Sequence, residues 1–506
     1  MSSFLSLDVL IALALGSAYG MIFGAIPGLT ATLALALFIP VGLFMEPRLL
    51  LPTLVGITAM AIFASDVGNI AVKIPGTPAS AAYNEELYRI SRERSVAYAM
   101  GIASIPSAVG SLIGVAFLIG GSLGLARLAK QFSSFEVFWL VLLGVSSGVL
   151  AGTPFVKSLL AFALGMLLAS VGYDPALGMP RFTFGSELLL GGFDFIVALV
   201  GLFGLGEVLT ELSGRGEEEK GVQNSASVGS AFREYFVETW NLMIRKRWLV
   251  LRASLVGLFV GFLPGAGSDF AAWVCSNMER LRGGDKEEVA LAGTTANNAS
   301  IAGDWVPALS LGIPGDTLTA IILGMFISLG ITPGPALFAE HWDWVVNLYG
   351  AFLLASLVLM PLGGYWAARA ISWVVRLPKR VLLAGVVGVC VLGAYAVNNN
   401  PEDLYIVAGF GVLGWLLRQG GFPVGQVVLG LVLGPLLERA FVVSMVKTHW
   451  DLLSFFRRPM AMGLAVANVL LVGAIVAYRW RQVRAADKPG GEKGWAGAAG
   501  VWEPER

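Results

Sequence analysis

Four proline–glycine pairs interrupt strongly apolar segments of this chain, and they form two matched sets about half the chain apart. The first set is GAIPG and KIPG, and the second set is GFLPG and GIPG. Pro27 and Pro264 lie 237 positions apart, and Pro75 and Pro314 lie 239 positions apart. Proline breaks a helix, and broken backbone at membrane depth is tolerated only where it is buried in protein or lines a water-filled cavity. Interrupted segments at corresponding places in two halves are typical of the central site of a secondary transporter.

The composition is that of a membrane protein. Of the 506 residues, 56% are hydrophobic and 13% are charged, and the mean hydropathy is +0.75. Apolar runs near the roughly 20 residues that span a bilayer recur along almost the whole chain, so we predict an all-α polytopic membrane protein with about 11–14 membrane segments. Acidic and basic residues balance at 34 each, which gives no reason to expect a nucleic-acid partner. Cys275 and Cys390 lack the spacing of a disulfide framework or a metal site, and we expect no cofactor.

Polar stretches divide the chain into two repeats. We predict a first transmembrane repeat over residues 1–212 and a second over residues 245–479. A cytoplasmic linker over 213–244, rich in Gly, Ser and Glu, connects them, and a cytoplasmic tail covers 480–506.

Basic residues predict how the repeats are oriented. Arg89, Arg92 and Arg94 follow the second Pro-Gly pair, whereas the matching place in the second half holds Glu340 and Asp343 and no lysine or arginine. Because basic residues favour the cytoplasmic side, equivalent loops of the two halves are expected to face opposite sides of the membrane. We therefore predict inverted-topology repeats with broken helices or re-entrant hairpins that meet near the midplane. The N-terminus would lie outside, and the C-terminus inside, the cytoplasmic membrane.

A helix that restarts after Pro-Gly presents free backbone N–H groups and the positive end of its dipole, which bind anions such as carboxylates. Glycines let such a ligand approach the backbone, and nearby hydroxyls add donors. Taken singly, each motif is explained equally well by glycine and proline that kink or pack membrane helices. Four breaks in two matched pairs favour a binding site. The residues are Gly24, Gly28, Thr30, Gly76, Thr77, Gly265, Gly267, Ser268, Gly315 and Thr317.

Polar residues inside apolar segments form a second group of candidates. Ionisable groups inside a membrane are expensive and line a pathway or pair with each other. Amide and hydroxyl oxygens suit a hard cation such as sodium, while a buried aspartate carries a proton equally well. The candidate ion-coupling residues are Asp66, Asn69, Asp269, Asn297, Asn298 and Asp304. The alternative for Asp66 is a structural ion pair with Lys73, which we favour slightly because their spacing predicts one helical face.

At these residues the chain resembles the large membrane subunit of the tripartite tricarboxylate transporters, the TctA-type permeases. The stretch from Ala296, ANNASIAGDWVPALSLGIPGDTLTAIILG, is the most similar, and the resemblance covers roughly residues 10–450. It implies an inner-membrane permease for carboxylates, driven by a sodium or proton gradient. It also implies two partners, a small membrane subunit and an extracytoplasmic solute-binding receptor. Carried over by motif, the substrate site comprises Gly24, Pro27, Gly28, Pro75, Gly76, Pro264, Gly265, Gly267, Asn297, Asn298, Pro314 and Gly315.

Two other classes of protein compete with a carboxylate transporter. A channel or scaffold subunit without coupled transport also needs few charges, and accumulation against a gradient would distinguish the two. An intramembrane aspartyl protease needs two membrane aspartates, one of them in a Gly-x-Gly-Asp context. The chain offers GAGSD at Asp269, which differs from that spacing by one residue, and GYD at Asp174. A protease does not explain the matched breaks, so we predict that the protein is not an enzyme.

Overall fold

A computed structural model describes residues 6–26, 29–73, 75–151, 155–174, 178–187, 189–213, 231–263, 265, 267–374 and 379–486. Nearly all of these residues are helical. The single sheet among them is a short antiparallel hairpin of β1, Gly172–Tyr173, and β2, Pro180–Arg181. The predicted all-α class is confirmed.

The helices of the N-terminal half are α1 Leu7–Ala25, α2 Ala31–Gly42, α3 Pro47–Ala64, α4 Asp66–Val72, α5 Asn84–Glu93, α6 Val96–Ala129, α7 Ser134–Ala151, α8 Phe155–Ala169, α9 Phe195–Leu199 and α10 Gly206–Ser213. A 3₁₀ turn, Ser80–Tyr83, precedes α5, and a π-helical turn, Val200–Leu205, joins α9 to α10.

The helices of the C-terminal half are α11 Thr239–Arg245, α12 Arg247–Phe262, α13 Gly267–Leu281, α14 Lys286–Leu311, α15 Thr317–Ser328, α16 Pro335–Glu340, α17 Trp342–Leu354, α18 Met360–Val374, α19 Lys379–Asn398, α20 Asp403–Gln419, α21 Val424–Lys447 and α22 Pro459–Ala486. Two π-helical turns, Arg233–Glu238 and Ala355–Leu359, and a 3₁₀ turn, Leu452–Phe456, complete this half.

Among the residues that the structure describes, six helical stretches are long and apolar enough to cross a bilayer, which makes the chain a polytopic membrane protein. They are Leu7–Ala25, Pro47–Val72, Val96–Ala129, Phe195–Ser213, Trp342–Ala370 and Val424–Lys447. Six shorter apolar helices accompany them, among them Ala31–Gly42 and Thr317–Ser328, each of which follows a Pro-Gly break.

The chain forms two compact units. One comprises Met1–Gln131 and Phe193–Gln419 and holds all four breaks, and the other comprises Phe132–Gly192 and Gly420–Arg506. In the second unit α7 and α8 pack on α21, and Arg181 of the hairpin forms an ion pair with Glu438 of α21 at 2.5 Å. Both repeats that the sequence predicts contribute to each unit, and the repeat boundaries themselves stay a prediction.

The two most buried helical stretches occupy corresponding places in the two halves. The stretch Pro47–Val72 is buried throughout its most apolar window, and every residue of α14 from Val289 to Ser310 is buried. The stretch and α14 begin 239 positions apart and also end 239 positions apart. Their place at the centre, despite the polar side chains they carry, identifies them as the walls of the candidate site.

Glycine contacts repeat with the same offset. The α1 glycine Gly20 packs on Ile57, where an added Cβ would lie 2.4 Å from the carbonyl oxygen of Ile57. In α12, Gly257 packs on Ala296 in the same way, at 2.5 Å. These glycines lie 237 positions apart and their partners 239 apart, as the Pro-Gly pairs do. Small residues allow such close helix contacts in membranes, so the sequence repeat is also a repeat of packing.

Each central stretch ends at a residue in the left-handed region, 239 positions apart. Gly312 ends α14 with φ 68°, and its N–H donates to the carbonyl of Ala308 at 3.1 Å. Lys73 ends α4 with φ 61°, and its N–H donates to the carbonyl of Asn69 at 3.2 Å. This C-terminal geometry favours glycine, because a Cβ in the left-handed region clashes with the following carbonyl.

Exchanging the two residues should therefore have unequal effects. We expect Lys73→Gly to change the free energy of unfolding by less than about 1 kcal/mol, because relief of the left-handed strain offsets the flexibility of glycine. We expect Gly312→Lys to destabilise by about 2 kcal/mol, since it adds that strain and places a Cβ 2.9 Å from the Pro333 ring. Thermal unfolding in detergent measures both variants. Equal losses of stability would contradict this explanation.

Candidate transport site

The second and fourth breaks, which occupy corresponding places in the two halves, are closed by the same reciprocal pair of hydrogen bonds. The Thr77 N–H donates to Ser80 Oγ and the Ser80 N–H donates to Thr77 Oγ1, both at 3.1 Å. In the second half the Asp316 N–H donates to Thr319 Oγ1 at 2.9 Å, and the Thr319 N–H donates to Asp316 Oδ1 at 2.8 Å. This is a capping box. The Thr77 hydroxyl, predicted as a ligand donor, is therefore engaged in closing the turn.

The glycines of the second and fourth breaks pack against the helix that precedes each break. An added Cβ at Gly76 would lie 2.8 Å from Ser65 Cβ, and one at Gly315 would lie 2.7 Å from Asp304 Cα. Ser65 and Asp304 are again 239 positions apart. Pro314 is buried and Pro75 is exposed, so these two prolines differ in their surroundings.

The third break lies directly against the fourth. Gly265 and Gly267 adopt positive φ angles of 79° and 66°, and an added Cβ at Gly267 would lie 2.8 Å from Asp316 Cβ. Ser268 is buried in the first turn of α13, and Thr317 is the first residue of α15. Because the Asp316 side chain caps α15, the fourth break already holds an acidic group at its helix N-terminus.

At the first break Thr30 caps α2, where its Oγ1 accepts from the Leu33 N–H at 3.1 Å. Gly24 lies in α1 and packs on Ala61, which is the contact that the alternative role in helix packing requires. Pro27, Gly28 and Pro264 lie outside the described residues, and so does the side chain of Asp269.

A buried polar network joins the candidate ion-coupling residues of the two halves. Asn69 Nδ2 donates to Asp66 Oδ1 at 3.1 Å and to the Ser80 carbonyl at 3.0 Å. The Tyr83 hydroxyl donates to Asp66 Oδ2 at 3.4 Å and accepts from Asn297 Nδ2 at 3.1 Å. All five residues are 0% exposed. The network therefore connects α4, the 3₁₀ turn after the second break, and the centre of α14.

The charge of Asp66 has no basic partner among the described residues. Within the described ranges, its side chain bonds only to Asn69 and Tyr83, which are both neutral. An unpaired carboxylate in such surroundings costs several kcal/mol, so a proton or a bound cation must neutralise it. The Oδ1 atoms of Asn69 and Asn297 are buried and accept no hydrogen bond from the described part of the chain. Such oxygens are suitable ligands for a hard cation.

The predicted ion pair between Asp66 and Lys73 is wrong. Lys73 Nζ lies 2.5 Å from Glu85 Oε2, and both side chains are about half exposed. The reason is the end of α4 at Val72, since the left-handed backbone of Lys73 turns its side chain away from the face that carries Asp66 and Asn69.

Two further ion-coupling candidates, Asn298 and Asp304, contact other elements of the chain. Asn298 follows Asn297 but projects toward α6, where its Nδ2 donates to Ser107 Oγ at 2.9 Å. Adjacent residues of a helix point in directions about 100° apart, which separates the two amides. Asp304 lies two turns further along α14 and packs against Gly315 of the fourth break. The structure thus groups Asp66, Asn69 and Asn297 together.

Tyr83 and Ser276 were not among the residues predicted from the sequence. The hydroxyl of Ser276 is fully buried without a hydrogen-bond partner in the described part of the chain, and it flanks Gly293, as does the Tyr83 ring. Tyr83 follows Asp66 by 17 residues across a helix break, so no periodicity in the sequence relates the two.

Ion pairs tie α5 to the second half of the chain. Glu86 of α5 lies 2.8 Å from Arg280 of α13, and Arg94 lies 3.2 Å from Glu287 of α14. Lys246 pairs with Glu288 and holds the pKa of that carboxyl below its usual value. Partly exposed pairs contribute little energy singly, but the pairs of Glu86 and Arg94 join α5 and the residue after it to α13 and α14.

The sequence profile described as "Tripartite tricarboxylate transporter TctA family" matches residues 10–429. A relative from Agrobacterium vitis, described as an uncharacterized 52.8 kDa protein in the TAR-I ttuC' 3' region, is 30% identical over 481 residues, which are 92% of this chain and 93% of the relative. A second protein of that organism, from the TAR-II ttuC' 3' region, is 32% identical over 229 residues, 42% of this chain and 93% of that protein. No solved structure matches.

Proposed function

Because the chain belongs to the tripartite tricarboxylate transporter TctA family, we propose that it is the permease subunit of an ion-coupled transporter that takes up carboxylates. The observation that carries this proposal is the buried network around Asp66, which joins the two halves beside a helix break. It holds an acidic group that has no basic partner in the part of the chain that the structure describes. The proposed partners are a small membrane subunit and an extracytoplasmic solute-binding receptor.

We place the carboxylate of the solute at the breaks of the first half. Thr30 and Thr77 cap these breaks with neutral hydroxyls, whereas Asp316 would repel an anion at the fourth break. The backbone N–H groups of the first turn of α2, which Thr30 satisfies only in part, are the proposed donors.

We place the coupling ion at Asp66, Asn69 and Asn297. A proton on Asp66, or a sodium ion bound by the carboxylate and the amide oxygens, would neutralise the buried charge. Asn298, Asp269 and Asp304 remain further candidates for ion coupling.

The proposed location is the inner membrane, with the N-terminus outside and the C-terminus inside. Cysteines introduced at Glu85 and Asp343 test this orientation, because only the first should be protected from an impermeant thiol reagent in intact cells. The native cysteines Cys275 and Cys390 are both buried.

Uptake into proteoliposomes tests the function. The chain, with its small subunit and receptor, should accumulate a labelled di- or tricarboxylate above the equilibrium level under an inward sodium or proton gradient. Dissipating the gradient with an ionophore should reduce accumulation to equilibration, and omitting the receptor should abolish uptake. Flux that equilibrates the solute under every gradient would instead identify a channel, and lack of any carboxylate flux would overturn the proposal.

A further inference from the structure

Tyr83 occupies a position between the two halves of the proposed ion site. Its hydroxyl is the one group that bonds to both the Asp66 carboxylate and the Asn297 amide among the described residues. Asp66 and Asn297 come from different predicted repeats and form no hydrogen bond with each other within the described part of the chain, so the Tyr83 hydroxyl is the direct link between them.

The ring of Tyr83 is held as firmly as its hydroxyl. Tyr83 is 0% exposed, and Gly293, one turn before Asn297 on α14, receives the ring so closely that an added Cβ would lie 2.2 Å from Tyr83 Cδ1. A larger residue at position 293 would displace the ring. The contact between the ring and Gly293 therefore fixes the position of the Tyr83 hydroxyl beside Asn297.

Tyr83 also belongs to the turn that closes the second break. The turn Ser80–Tyr83 begins at the residue that forms the reciprocal hydrogen bonds with Thr77, and the Ser80 carbonyl accepts from Asn69. In the proposed function the solute binds at this break. A shift of the break on solute binding would move Tyr83 relative to Asp66, because only two residues separate it from Ser80.

We propose that Tyr83 is a positioning residue that links solute binding at the second break to ion binding at Asp66 and Asn297. This proposal rests on the proposed function. The hydroxyl holds the Asn297 amide beside the Asp66 carboxylate. Its position follows that of the turn Ser80–Tyr83, which shifts when the solute binds at the break.

The test is Tyr83→Phe, which keeps the ring and removes the hydroxyl. The matched control is Tyr235→Phe, which removes another fully buried hydroxyl, bonded to Ser104 and to the Pro361 carbonyl, away from the ion site. Two measurements are made on each purified full-length protein, namely the ion dependence of thermal stability in detergent and the ion dependence of uptake in the reconstituted complex.

We expect Tyr83→Phe to shift the midpoint of the sodium or proton dependence roughly tenfold in both measurements, the effect of one hydrogen bond to a charged group. Tyr235→Phe should lower stability without moving the midpoint. Equal midpoints in both variants and the wild type would overturn the role of Tyr83 while leaving the proposed function intact. A wild-type protein that responds to neither ion would overturn the proposed coupling and the role of Tyr83 together.

Discussion

In an Asp66→Asn variant, ion-driven accumulation of carboxylate should fall by about 100-fold or more, while exchange of labelled for unlabelled solute continues. An amide is nearly isosteric with the carboxylate and keeps a hydrogen-bonding oxygen for Asn69, but it neither binds a proton nor attracts a cation. Losing an ionic ligand at a buried site removes about 3 kcal/mol or more of differential ion binding, which corresponds to this factor. The measurement compares accumulation under a gradient with counterflow in the same proteoliposomes.

Asp403→Asn is the matched control for this experiment. Asp403 is 4% exposed and accepts from the Asn398 amide at 2.9 Å, so it resembles Asp66 in burial and partner but lies outside the network. The control should accumulate solute normally. Adding Lys73→Met to Asp66→Asn should not restore transport, because Lys73 pairs with Glu85. If Asp66→Asn accumulates solute at the wild-type level, Asp66 does not bind the coupling ion, and the assignment passes to Asp304 and its surroundings.

Replacing Gly261 with leucine should prevent the protein from folding stably. Gly261 of α12 packs on Ser300 of α14, where an added Cβ would lie 2.3 Å from the Ser300 carbonyl oxygen. The side chain would force apart two helices whose contact holds α14 in place, at a cost of about 3 kcal/mol or more from overpacking and lost contacts. We expect Gly24→Leu to behave similarly, because an added Cβ at Gly24 in the first half would lie 2.2 Å from the carbonyl oxygen of Ala61.

Gly409→Leu is the control for these two variants. Gly409 lies on an exposed face of α20, and an added Cβ there meets no atom within 4 Å. Size-exclusion chromatography of the solubilised proteins should give a monodisperse peak for Gly409→Leu and aggregate or no protein for Gly261→Leu and Gly24→Leu. Wild-type yield and melting temperature for Gly261→Leu would show that α12 and α14 do not depend on this contact.

Much of the architecture was predictable from local sequence. Apolar segments predict membrane helices because lipid offers no hydrogen-bond partner to backbone N–H and C=O groups, which must therefore bond within the helix. Proline fixes φ and lacks an N–H, so the breaks at Pro75 and Pro314 also follow from local chemistry. The matching offsets of the breaks predicted equivalent helices, and the pairs Gly20–Ile57 and Gly257–Ala296 show that the equivalence extends to packing.

The composition of the site was predictable only in part, and the exceptions have specific causes. Asp66, Asn69 and Asn297 were identified as polar residues in apolar segments, where each is costly unless it has a function. The Lys73 pairing failed because helical spacing was extended one residue beyond the true end of α4. Asn297 and Asn298 were treated as one unit, but neighbouring positions on a helix face different partners, here Tyr83 and Ser107.

The class of protein, the positions of the helix breaks and the residue types available for binding follow from hydropathy and from the chemistry of single residues, so they could be predicted without coordinates. Which of those residues meet depends on how the helices pack. Tyr83 bonds to Asn297, which lies 214 positions further along the chain, and the Cβ of Asp316 lies against Gly267 of the preceding break. Such contacts arise when helices distant in the chain bury their surfaces against each other, and local patterns carry no information about the partner that a buried polar group will find.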